Sequence, residues 1–328
     1  MPCPTLRSLL LSLAACASLV CFAGCAHHNA PATADAPKTT DAAPAPEQLR
    51  FPSPEQAAAT LKDAVLQKDR LQLLAIFGPE GRQLVFTGDR VAENNAMTSF
   101  GQHMTDYLRV DHRSATQAVL HIGGENWPFP IPLVKGSDGW SFDTNAGKEE
   151  ILNRRIGENE LGAIEVCRAY VIAQTEYARR DRTGEKLTQY AQRFRSTDGK
   201  RDGLYWPVAE GESLSPMGPL VAEAQAEGYA QRPPDGKPHP YHGYYFHILT
   251  AQGPAVPGGK MSYLKDGHLT QGFALIASPS AWGASGIMTF QVNQDGKIFE
   301  KNLGPQTKDL VKTLTEYNPD SSWSEVKD

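Results

Sequence analysis

Apolar residues recur at helical spacing in the first third of the folded region and at strand spacing in the last third. After Phe51-Pro52-Ser53-Pro54-Glu55, where Ser53 suits a cap and Pro54 the first helical position, Ala58, Leu61, Val65 and Leu66 mark one face of a helix. The pattern predicts a short second helix over residues 71–77, stopped by Gly78-Pro79. A third follows over about 91–108, carrying Ala96, Phe100, Met104 and Tyr107. Strands are expected over 117–122, 129–134 and 140–143, because Gly123-Gly124-Glu125-Asn126 and Lys135-Gly136-Ser137-Asp138-Gly139 between them are turn chemistry. Helices followed by antiparallel strands indicate an α+β layer.

A long helix is predicted over about 145–181, with Ile151, Ile156, Ile164, Cys167 and Val171 as core contacts. Gly157 and Gly162 weaken it, and a kink or break there places a domain boundary near residue 157. Beyond it come a polar segment over 182–201, a loop from Trp206-Pro207 to Pro219 and a short helix over about 220–226. Strands then follow over 244–250, 272–278, 287–293 and 298–302, with Asn293-Gln294-Asp295-Gly296 as a hairpin turn. A helix over about 307–317 ends the pattern. The expected architecture is α+β in two domains, 51–156 and 157–328, with helices packed on antiparallel sheets and a long helix joining them.

The first fifty residues have a different pattern. One basic residue, Arg7, precedes an apolar stretch from Leu9 to Ala23 that is short and rich in small residues, so 1–24 reads as a signal peptide. It ends in Phe22-Ala23-Gly24-Cys25, and a small pair before cysteine fits a lipoprotein signal peptidase, which makes Cys25 the expected lipidated N-terminus. Leu13-Ala14-Ala15-Cys16 fits the same pattern with a very short apolar core. Ordinary cleavage without lipid, or a retained anchor, would equally place the rest outside the cytoplasm. Residues 25–50, rich in Ala, Pro and Thr, lack apolar periodicity and read as a disordered tether reaching on the order of 25–30 Å. Ala26 rather than Asp follows Cys25, which favours the outer membrane, facing the periplasm, in a cell that has one.

Cysteine usage fits this reading. Of the 5 cysteines, Cys3, Cys16 and Cys21 would leave with the signal and Cys25 would carry lipid, so Cys167 is left as a lone core thiol. Net charge is −5, with both signs scattered, which gives no footprint for nucleic acid. The membrane contact expected is through acyl chains, of which stable anchoring needs at least two.

The order of helices and strands in the first half resembles the cone-shaped nuclear-transport-factor-2-like fold. The second half resembles type IV pilin heads, through Ala173-Gln174-Thr175-Glu176-Tyr177 before a meander with Gly243-Tyr244-Tyr245-Phe246, Ala277-Ser278-Pro279 and Gly286-Ile287-Met288-Thr289-Phe290. The pilin's membrane-spanning half-helix has no counterpart. A broader resemblance runs from Phe51 to Trp323. It is carried by Asn126-Trp127-Pro128-Phe129-Pro130-Ile131-Pro132, Trp140-Ser141-Phe142-Asp143-Thr144 and Lys200-Arg201-Asp202-Gly203-Leu204-Tyr205-Trp206-Pro207. It continues through Pro240-Tyr241-His242-Gly243-Tyr244-Tyr245-Phe246 and Leu249-Thr250-Ala251-Gln252-Gly253-Pro254. On these stretches the chain resembles the bacterial family of uncharacterised exported proteins known as domain of unknown function 2950. The resemblance implies boundaries and an exported location, and no reaction.

Metalloprotease, nucleophile-elbow, paired-cysteine and dinucleotide signatures are missing from 25–328. Gly258-Gly259-Lys260-Met261 lacks both the first glycine and the hydroxyl residue of a phosphate loop. His239, His242 and His247 stand among Tyr241, Tyr244 and Tyr245, where imidazoles could bind metal or move protons. Turn-capping and strand roles account for them more simply, so neither a metal nor a cofactor is expected. Arg201, Tyr205 and Trp206, with Tyr241 and Tyr244, are the candidate ligand-binding residues, since aromatic faces stack on sugars and arginine pairs with carboxylates. The expected role is a non-enzymatic envelope module that binds another envelope protein or a cell-wall or polysaccharide ligand. The alternative is a hydrolase using His242 with Asp202, which requires the two within hydrogen-bond reach.

Overall fold

Helix α1 (Pro54–Leu66) starts where Ser53 accepts a hydrogen bond from Gln56 N, and its Ala57, Leu61, Ala64 and Val65 face is buried. The computed structural model describes residues 47–230 and 237–327. The signal peptide, Cys25 and most of the expected tether lie outside them. The tether's last residues belong to the fold, because Gln48 Nε2 donates to Ile76 O and Phe142 O at 3.1 and 2.7 Å.

Asp69 caps α2 (Arg70–Phe77), a 3₁₀ turn (Pro79–Gly81) leads into α3 (Arg82–Val85), and Asp89 caps α4 (Arg90–Asp106). The strand β1 (Leu108–Ser114) follows directly. The sequence pattern did not announce it, because polar and charged residues occupy most of this edge strand and its side chains are mainly exposed. It pairs antiparallel with β2 (Gln117–Ile122). The expected strand over 129–134 is instead two pieces, β3 (Trp127–Pro128) and β4 (Leu133–Gly136). Pro128, Pro130 and Pro132 remove the donors that a continuous ladder needs. With β5 (Gly139–Phe142) the order is β1-β2-β4-β5, β3 pairing with β2. Helices α1 and α2 pack on this sheet around a cluster that includes Leu61, Ile76, Met104, Leu120, Ile131 and Phe142.

Asp143 caps α5 (Thr144–Tyr177), a single helix of 34 residues that runs through Gly157 and Gly162 without the expected break. Each glycine costs about 1 kcal/mol relative to alanine in a helix, which packing along the helix outweighs. Gly162 also leaves room for His242, whose Nδ1 would lie 3.3 Å from a Cβ there. The N-terminal part of α5 touches the first cluster through Ile151. Its C-terminal part supplies Ala163, Ile164, Cys167, Tyr170, Ala173 and Tyr177 to a second. Both clusters lie within one compact unit. Long as it is, α5 is polar; among the described residues no helix is long and apolar enough to cross a membrane.

After α6 (Gly218–Ala226) comes β6 (Tyr244–Leu249), then the two-residue strands β7 (Ala251–Gln252), β8 (Met261–Ser262), β9 (Leu264–Lys265) and β10 (His268–Leu269). The wholly buried β11 (Ala274–Pro279), then β12 (Met288–Asn293) and β13 (Ile298–Asn302) complete the meander, with Gly296 donating back to Asn293 O in the expected hairpin turn. Beyond α7 (Thr307–Leu310) lies β14 (Ser324–Glu325), and the antiparallel order is β14-β13-β12-β11-β6. The expected helix over 307–317 stops early. Tyr317 is buried and exchanges backbone hydrogen bonds with Ala251 and Gly253, which holds residues around it extended. Helix α5 is bolted to the second sheet by Tyr170, whose hydroxyl donates to Ala274 O at 3.1 Å and accepts from Gln174 Nε2 at 2.9 Å.

The protein is therefore α+β, with helices packed on two antiparallel sheets and α5 touching both clusters.

Candidate functional site

Four helices and the first sheet do not close completely on one another. Between α1, α2, α4 and α5 they leave a half-open cavity of about 350 Å³. Its inner wall is apolar, with Leu61, Val65, Leu73, Phe77, Phe100 and Phe129 among its residues. The aromatic part of that wall is held by tilted ring contacts, the Phe77 and Phe100 centroids lying 6.3 and 5.6 Å from that of Phe129. Polar residues line the rest: Thr87, Glu93, Arg155, Glu158 and Asn159, beside Gly243 from the second half of the chain.

The loop before α4 fixes that polar end. Glu93 Oε1 accepts from Thr87 N at 2.8 Å and Gly88 N at 3.2 Å, while Oε2 meets Arg70 Nε at 3.1 Å. Asp89 is buried and shared between the halves. Its Oδ1 caps α4 by accepting from Val91 N and Ala92 N, and its Oδ2 accepts from Tyr229 Oη at 3.0 Å and Gly243 N at 2.9 Å. Burial, then the Asp89 charge, pushes the Tyr229 phenol well above its ordinary range, so it remains a donor. Arg155 donates through Nη1 and Nη2 to Gln83 O and Leu84 O at 2.9 and 2.8 Å. Asn159 Nδ2 donates to Ser285 O at 2.8 Å. Ser280 Oγ donates to Thr87 O at 2.8 Å. The cavity's polar end is thus built jointly by residues far apart in sequence.

His242 sits at this seam. Its backbone is left-handed at φ +46, followed by Gly243 at φ +75, and the turn brings its ring onto Tyr241 at 4.1 Å between centroids. Its Nε2 meets Glu227 Oε2 at 2.5 Å. The partner foreseen from sequence, Asp202, is committed elsewhere, to Thr197 N at 2.7 Å, Thr197 Oγ1 at 2.8 Å and Arg193 at 3.7 Å. Burial raises the Asp202 carboxyl, but those bonds outweigh it and hold the group below its usual range. No hydrogen bond joins His242 to Asp202.

The other candidates are placed as follows. Trp206 is buried in the second cluster, with the guanidinium carbons of Arg182 and Arg201 each 5.5 Å from its ring centroid. The face a sugar would stack on is therefore covered. Tyr205 packs partly buried against the same cluster, under Arg195 at 5.6 Å. Tyr241 carries the His242 ring, and wholly buried Tyr244 donates its hydroxyl to Met288 O at 2.9 Å. His239 and His247 are exposed, and among the described residues no three His, Cys, Asp or Glu side chains cluster as a metal site would require. Cys25 lies outside the described residues. Sequence reasoning missed Arg155, Glu93, Asp89, Glu227 and Tyr229. Only Asp89 carried a legible signal, as an Asp after glycine at the head of an apolar-periodic run.

No curated protein and no solved structure matches the chain. A family model described as "Protein of unknown function (DUF2950)" matches residues 48–326. That span takes in both hydrophobic clusters, the cavity and the His242 seam, and the chain belongs to this family of proteins of unknown function.

Proposed function

We propose that the protein is an exported, non-enzymatic binding module, tethered by lipid on Cys25 to the outer membrane and facing the periplasm, that takes a small apolar ligand into the cavity beside α4. The anchor rests on the short apolar leader ending in Ala23-Gly24-Cys25. The binding role rests on one observation, the half-open apolar cavity of about 350 Å³. A concave, largely apolar chamber with a few convergent polar groups at one end, of a volume within the roughly 300–1,000 Å³ of small-molecule sites, is the usual form of a ligand pocket. A small-molecule ligand accounts for the geometry better than a polysaccharide, because Trp206 and Tyr244 are buried and the open apolar surface is concave.

Two measurements test this reading. N-phenyl-1-naphthylamine, a neutral apolar dye, should brighten on binding the purified protein. Ala92→Phe, which puts a ring on a lining residue of α4, should weaken it about tenfold with the circular dichroism spectrum unchanged. A folded Ala92→Phe protein binding the dye like the wild type would refute the assignment of the site. For the anchor, intact mass of membrane-extracted protein should show a diacylglyceryl-sized addition that disappears in Cys25→Ala; an unlipidated soluble wild type would rule it out.

A further inference from the structure

Arg155 is the unusual group in the cavity. Two of its N–H groups are used, on Gln83 O and Leu84 O, and a guanidinium has five. Among the described residues no carboxylate forms an ion pair with it. Glu93 is already occupied by Arg70, Thr87 and Gly88, and Glu158 stands exposed at the rim. Burial lowers the Arg155 pKa from its ordinary value, and the charges of Glu93 and Glu158 only partly restore it. The guanidinium is thus partly buried, with three N–H groups that the described residues do not use, at the end of an apolar chamber. An anion that enters with an apolar tail would supply what is missing, and a carboxylate matches the planar fork of the guanidinium.

We propose that the cavity takes a single-chain amphiphile with a carboxylate head, the chain lying among Leu61, Val65, Phe100 and Phe129 and the head on Arg155. This rests on the cavity being a binding site. About 350 Å³ accommodates roughly a dozen non-hydrogen atoms at about 30 Å³ each, the size of a ten-carbon acid. The rim charge of Glu158 opposes a carboxylate, weakly because it is solvated.

Calorimetric titration of the full-length Cys25→Ala chain with decanoate, 1-decanol and decylamine, each below its aggregation concentration, tests the assignment. Decanoate should bind about tenfold or more tighter than decanol. Arg155→Met should abolish that preference while keeping the decanol affinity. Because this variant also loses the bonds to Gln83 and Leu84, Glu158→Gln is measured beside it. That change leaves those bonds in place and should tighten decanoate about two- to fivefold without affecting decanol. Equal binding of decanoate and decanol, a preference for decylamine, or a decanoate preference that survives Arg155→Met would each overturn the head-group assignment while leaving the cavity reading intact. Failure of all three ligands and of the neutral dye would remove both.

Discussion

Replacing Asp89 by alanine removes one carboxylate that four donors share: Val91 N and Ala92 N at the start of α4, and Tyr229 Oη and Gly243 N from the second half of the chain. Loss of the cap alone costs about 1 kcal/mol. The remaining donors are the larger part, because Gly243 is buried and Tyr229 partly so, and each loses a bond to a charged acceptor worth about 1.5–3 kcal/mol. The whole effect is about 4–7 kcal/mol, a large fraction of a domain's stability. The control is Asp69→Ala, which removes an exposed cap that accepts from Gln72 N alone and should cost about 1 kcal/mol. Urea denaturation followed by far-ultraviolet circular dichroism measures both, the midpoint shift being converted with a common m-value. Tyr229→Phe should lie between them. If Asp89→Ala costs no more than Asp69→Ala, the carboxylate is only a cap and the seam between the halves is held by something else.

The glycines of α5 should respond oppositely to alanine. A Cβ at Gly147 would sit 2.1 Å from Pro130 O, whereas one at Gly157 meets nothing within 4 Å. In thermal melts Gly147→Ala should therefore destabilise by about 3 kcal/mol or more, and Gly157→Ala should stabilise by about 0.5–1 kcal/mol. The reverse order would refute the placement of α5 against the proline segment. Burial pushes both the Cys167 thiol and the Tyr177 phenol up to about 12, from ordinary values of 9.0 and 10.0. A raised folded pKa gives stability that is complete below the unfolded value and lost as pH climbs to the folded one. Urea midpoints should thus fall between about pH 9 and 12, with the Tyr177→Phe protein losing less of its stability above pH 10. At pH 8 Cys167 should resist a disulfide reagent in the native protein and react in urea; prompt native reaction would show that its pocket opens.

Where helices begin was legible in the residues. Ser53, Asp69, Asp89 and Asp143 each accept a backbone N–H at the cap position, and such local hydrogen bonds need only neighbouring residues. The last hairpin was equally local, with glycine at the left-handed position of Asn293-Gln294-Asp295-Gly296. The edge strand β1 was hidden because strand alternation is a burial signal, and few of its side chains are buried.

Function depends on what only the tertiary structure decides. Arg154 and Arg155 are neighbours in a charged run, yet Arg154 is exposed and pairs with Glu150 while Arg155 turns into the cavity. A helix rotates about 100° per residue, so packing of the whole helix chooses which arginine is desolvated. His242 meets Glu227 rather than Asp202, and Asp89 meets Gly243 across 154 positions. Local propensity marked where most helices start and where the last hairpin turns, while packing carried α5 through Gly157 and Gly162 and ended α7 early. Which charged groups meet was settled by the summed packing of two sheets against α5, since no residue's own neighbours carry information about contacts that distant.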